Sequence, residues 1–166
     1  MKLRDQILID RTALGLRIQI VDKENRPMFD RGQAELQVYA EEVLRALAPR
    51  LDVVPNKLSI NGHTDSVAYG PGADYTNWEL SADRANSARR ALLDGGYPDA
   101  KVLTVQGMGA SIPRLVDDPQ DAGNRRIVIL VLKKEIEEAL RGNSIETTSP
   151  QAIIDSPATD PFAAGP

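Results

Sequence analysis

NGHTDSVAYGPGADYTNWELSADRANSARR, residues 61–90, joins a short β-like run to a Gly/Pro-rich loop and then to a helix with marked ends. Thr76 followed three residues later by Glu79 matches a capping box, which satisfies two free N–H groups of a first helical turn. Trp78, Ala82, Ala85, Ala88 and Leu92 recur at helical spacing and predict a core-facing stripe with Trp78 as its anchor. Gly95-Gly96 can supply a left-handed stop and Pro98 bars continuation, so the helix is expected over Asn77–Asp94. Strand, loop and helix thus place an acid, Asp65, and a base, Arg84, at the two ends of one connection.

Outward from that unit the periodicity alternates between two and three to four. Leu16, Ile18 and Ile20 alternate with Arg17 and Gln19, the mark of a half-buried strand over 15–21. A polar turn, Asp22–Pro27, and the lead-in MFDRG follow. Leu36, Ala40, Val43 and Leu47 then predict a helix over about 33–48, bounded by Pro49 and Pro55. Leu58 and Ile60 make a short strand, 102–106 another, and the wholly apolar run 127–132 a strand interior to a sheet. A polar helix over 133–141 closes the pattern, and a helix over about 2–12 precedes it. The order is β-α-β-α-β-β. Right-handed crossovers place both main helices on one face of a mixed four-stranded sheet, an α+β two-layer sandwich with extra terminal helices. Residues 1–13 read as a linker or helix and 14–142 as the folded domain. Residues 143–166, rich in Ser, Thr, Pro and Ala, read as a disordered tail.

Composition narrows the function. The 166 residues carry a net charge of −4, which argues against attraction to nucleic acid or to an anionic membrane surface. Without cysteine there is no thiol nucleophile or thiolate metal site, and one histidine rules out a histidine-rich centre within one chain. No apolar run reaches the length of a membrane span, and the charged N-terminus does not read as a signal peptide. His63-Thr64-Asp65 lacks the geometry of a catalytic group, because adjacent strand residues point to opposite faces. Gly107-Met108-Gly109 lacks the third glycine of a dinucleotide fingerprint. Asp65 and Arg84 admit two readings: a structural salt bridge, or a pair held apart for a ligand bearing both ammonium and carboxylate. Arg89-Arg90 reads most simply as a solvated helix face.

The ordered set GHTD, NWELSADRANSARR, GMG and NRRIVILVLKK resembles the OmpA-like peptidoglycan-binding family over residues 14–134, and within it the MotB branch of flagellar motor stators. The resemblance implies a non-enzymatic wall anchor without metal or cofactor. It implies that Asp65 receives the ammonium of diaminopimelate in a peptidoglycan stem peptide, and that Arg84 clamps its carboxylate. Thr64, Asn77 and Leu80 match pocket-lining positions, Asn124 and Arg125 match the motif beside the pocket, and Arg89 and Arg90 are looser candidates for wall or dimer contacts. It further implies a homodimer, and a MotA-like channel subunit reached through a transmembrane part outside this chain. The chain would then be the periplasmic piece of an inner-membrane protein. An outer-membrane or lipoprotein-type wall anchor is the alternative. A peptidoglycan hydrolase is disfavoured, because one histidine leaves little from which to build a zinc site.

Overall fold

A computed structural model describes residues 4–145. The elements are β1 Ile7–Thr12, β2 Gly15–Val21, α1 Val38–Leu51, β3 Leu58–His63, α2 Asn77–Asp94, β4 Val102–Gly107, β5 Arg126–Leu132 and α3 Lys134–Ile145. One sheet runs in the order β1-β2-β5-β3-β4; β3 and β4 are parallel and every other pair is antiparallel.

The sheet has five strands rather than four, because the helix expected over about 2–12 is β1. Ile7-Leu8-Ile9 favours a strand, and a tight turn lets Asp10 lie opposite Arg17, where the two form a bidentate pair. The turn needs a glycine at its end. Gly15 has φ of 143° and approaches the next strand so closely that a Cβ would lie 2.0 Å from the Val131 carbonyl oxygen. Gln6, almost fully buried, fixes the start of β1: its amide donates to the carbonyls of Val21 and Arg26.

Two faces of the sheet carry different layers. Ile18, Ile20, Leu58, Ile60, Ile127 and Ile129 pack with Leu44 and Ala48 of α1 and with Ala85, Ala88 and Leu92 of α2. Alternate residues of β5, Val128, Leu130 and Leu132, face the other way and meet Leu103 and Ile136 of α3. α2 lies unusually close to β3 and β4. A Cβ on Gly62 would sit 2.0 Å from the Ser81 carbonyl oxygen, and one on Gly107 would sit 2.5 Å from the Ala82 nitrogen.

That closeness corrects the expected stripe. The inner face of α2 is Ser81, Ala85 and Ala88, whereas Trp78 is 57% exposed and rests on the Gly109 backbone, beyond the strand ends. The capping box at Thr76 and Glu79 forms as expected. α1 begins at Val38, five residues later than the periodicity predicts, because Phe29 and Leu36 pair across a turn at Gly32. It ends at Leu51 with Pro49 inside its last turn; so near a terminus the missing N–H removes only one helical bond. α3 runs three residues past the boundary expected at 142. The remainder of the expected disordered tail, 146–166, lies outside the described residues. No helix among the described residues is long and apolar enough to cross a membrane.

Candidate functional site

The end of the sheet where β3 finishes and β5 begins opens into a cleft of about 600 Å³. Its walls are the β3–α2 loop, the first two turns of α2, the start of β5 and the 27–32 segment before α1. Thr64, Asp65, Asn77, Leu80, Arg84 and Arg125 all line it.

Asp65 and Arg84 are not bonded to each other. Asp65 pairs instead with Arg125, whose Nη1 donates to its Oδ2 at 2.9 Å, while its Oδ1 accepts from the Val67 N–H at 3.0 Å. Arg125 has a second acid: its Nε donates at 3.0 Å to Oδ2 of Asp22, a carboxylate whose side chain is 1% exposed. Burial pushes the Asp22 carboxyl above its ordinary range, against the pull of the Met28 N–H and Arg125. Sequence reasoning left Asp22 in a polar turn; its partner lies 103 residues away, a pairing that only the fold makes.

Arg84 is 4% exposed. Its Nε donates to the Gln33 carbonyl at 2.8 Å and its Nη2 to the Asp30 carbonyl at 3.1 Å, and the guanidinium stacks over Phe29 at 4.8 Å. Nη1 makes no hydrogen bond to the described residues and belongs to a residue that lines the cleft. The site therefore contains a cation positioned by neutral groups, with both N–H groups of Nη1 to spare. On the other side, a carboxylate offers about four acceptor positions, and Asp65 uses two.

Asn77 ties the loop to α2 by donating to the carbonyls of Asp65 and Val67. Leu80 supplies apolar wall, and the buried hydroxyl of Thr64 has no partner among the described residues. Asn124 is not in the cleft. Fully buried, it accepts from Leu115 N–H and donates to Asp118 carbonyl, holding the loop before β5. Arg89 pairs with Asp99 at 2.6 Å, and Arg90 donates to Ser87 Oγ and lines a separate groove. Neither reaches the cleft. Phe29, Asp30, Gly32, Tyr69 and Gln120 line it without having been singled out. The MFDRG lead-in carried the signal for three of them, an apolar residue and a glycine set among charges, but it reads equally well as a helix approach.

His63 ends β3 opposite Arg126. Its Nδ1 is buried without a partner, and burial together with Arg126 lowers its pKa to about 4, so it is neutral at physiological pH. Among the described residues, no three His, Asp or Glu side chains group so as to hold a metal ion.

Residues 28–127, which include Thr64, Asp65, Asn77, Leu80, Arg84 and Arg125 of the cleft and the whole of both main helices, match the model of the OmpA family. The chain belongs to the OmpA family. Within it, this member is 47% identical to motility protein B of Escherichia coli K12 over 99% of its own length, and spans 54% of that relative. It is 46% identical over 76% of its length to the putative flagellar export/assembly protein LafU of Escherichia coli O44:H18, of which it spans 41%. The periplasmic domain of Helicobacter pylori MotB shares the OmpA-family fold, with a TM-score of 0.66 at 16% identity, over 84% of this chain and 99% of that one.

Proposed function

We propose that this OmpA-family chain is a non-enzymatic peptidoglycan anchor, the periplasmic part of a MotB-like stator subunit that holds an ion-driven motor to the cell wall. The observation that carries this reading is the cleft itself. Arg84 brings an unused N–H and Asp65 unused acceptor positions to one space, and neither neutralises the other. A group with ammonium and carboxylate on one carbon satisfies both, and the side-chain end of diaminopimelate is such a group. Asp65 receives the ammonium, Arg84 the carboxylate, and Arg125 holds Asp65 in place. Thr64, Asn77 and Leu80 shape the walls.

Identity to motility protein B over nearly the whole chain supports the motor branch over an outer-membrane anchor. The MotA-like channel partner and the inner-membrane anchorage belong to a part of such a protein outside these residues. A homodimer would present two clefts to one mesh, so that modest single-site binding gains from effective concentration. Purified sacculi should retain the protein on sedimentation, and Asp65→Asn and Arg84→Gln should each weaken retention about tenfold or more, the loss of a charge-assisted hydrogen bond. Circular dichroism checks that both variants fold. Undiminished retention in both would refute the cleft as the wall site.

A further inference from the structure

Besides Thr64, one more hydroxyl in the cleft has nothing to bond. Tyr69 lines the cleft from the β3–α2 loop, and its OH is buried without a partner among the described residues. Buried hydroxyls are rarely left so, and at the wall of an open cleft a ligand is the group that can satisfy one.

The ring is held by contacts that do not involve that hydroxyl. Tyr69 stands edge-to-face with Tyr75, with ring centroids 5.9 Å apart, and the Tyr75 hydroxyl donates to Asp83 of α2 at 2.7 Å. Removing the Tyr69 hydroxyl therefore leaves the ring in position. The hydroxyl points at the opposite wall: a Cβ on Gly32 would lie 3.7 Å from it. Gly32 falls between Asp30 and Gln33, the two residues whose carbonyls fix the Arg84 guanidinium. Tyr69 is also near enough to Arg84 to interact with its charge. The phenol O–H and Arg84 Nη1 thus approach one region of the cleft from two walls, both donors and both idle.

We infer that Tyr69 is the second carboxylate donor of the cleft. Its hydroxyl and Arg84 Nη1 together grip the free carboxylate of the bound side chain, and the site selects that carboxylate over its carboxamide. The inference rests on the wall-binding reading and adds a chemical preference to it. A carboxylate accepts from both donors at once, with charge assistance at each. A carboxamide has a single acceptor oxygen to share between the two donors, and it is neutral at both contacts.

Calorimetric titration with two soluble muropeptides tests this. Both carry a tetrapeptide stem; in one the diaminopimelate side chain ends in a free carboxylate, in the other in a carboxamide. Wild type should prefer the acid by about tenfold or more. Tyr69→Phe should lose about tenfold in affinity for the acid and less for the amide, narrowing the preference, with the melting temperature unchanged. Unchanged affinity for the acid in Tyr69→Phe, or an equal loss for both ligands, overturns the role of Tyr69 and leaves the wall cleft standing. Wild type that binds neither muropeptide overturns the cleft reading and the inference together.

Discussion

His63 illustrates how burial and one neighbouring cation can tune a single residue. In the folded chain it is held neutral, with its pKa lowered to about 4 by burial and by Arg126. The Arg126 guanidinium is itself buried and, among the described residues, donates to neutral acceptors: Gln19 Oε1 and the carbonyls of Asn124 and Ile112. Burial, Arg114 and Arg17 bring its own pKa down to about 10. Protonating His63 would place a second cation beside it. The unfolded chain binds that proton near pH 6.5 and the folded chain resists until about pH 4. The contribution is therefore fully present above pH 6.5 and is lost as pH falls toward 4, by at most about 3 kcal/mol. Because the sequence contains one histidine, the test is clean. Urea unfolding of wild type should weaken from pH 7 to pH 5, and His63→Gln should flatten that slope. An unaltered slope in the variant would place the pH dependence elsewhere.

At the scale of elements, the close contact of α2 with the sheet governs both stability and the position of the cleft. Gly62 and Gly107 let the helix backbone approach the ends of β3 and β4, which brings Asn77, Leu80 and Arg84 within reach of Asp65. Gly62→Ala should cost about 3 kcal/mol, because a Cβ there would meet backbone, which cannot move aside cheaply. Gly142→Ala, in α3 with open space around its Cβ, should gain about 0.5–1 kcal/mol from helix propensity. Denaturant midpoints measure both. α2 was legible in the sequence because its determinants are local: a capping box, a glycine stop and a strong period. β3 and β5 were legible for the same reason, whereas Asp65 and Arg84 stood out only as the ends of one connection, and Thr64, Asn77 and Leu80 came from the family resemblance rather than from any local period. β1 was not legible, because Ile7–Thr12 sets three apolar residues before Asp10, Arg11 and Thr12, a run with no period of two that is little longer than one helical turn and a half. Nor was the exposure of Trp78 or the burial of Asp22. Both are set by how closely two distant elements approach, which no local period records.

In the whole molecule, β1 closes one edge of the sheet and covers β2, while β4 forms the other edge. Deleting residues 1–12 should lower the melting temperature by about 5 °C or more, and should cause concentration-dependent association on size exclusion as the β2 edge becomes free to pair. A dispensable linker helix would leave both unchanged. The register has a mechanical consequence. Ile7 lies across from Ile20, Ile20 from Ile127, and Ile127 from Gly62, so the chain enters the sheet at the end where the cleft opens. A pull on the N-terminal side against a ligand seated in the cleft follows a short load path across that end, and leaves the core unstretched. Along β1 the same pull would peel hydrogen bonds singly rather than shear them in parallel, a weak geometry for a tether. Gln6 is what stands before the first of those bonds: the backbone of Val21, the Arg26 carbonyl and the Arg26 guanidinium all hold it, on both sides of its side chain. The chain thus carries its latch at the one point where tension would begin to unzip it.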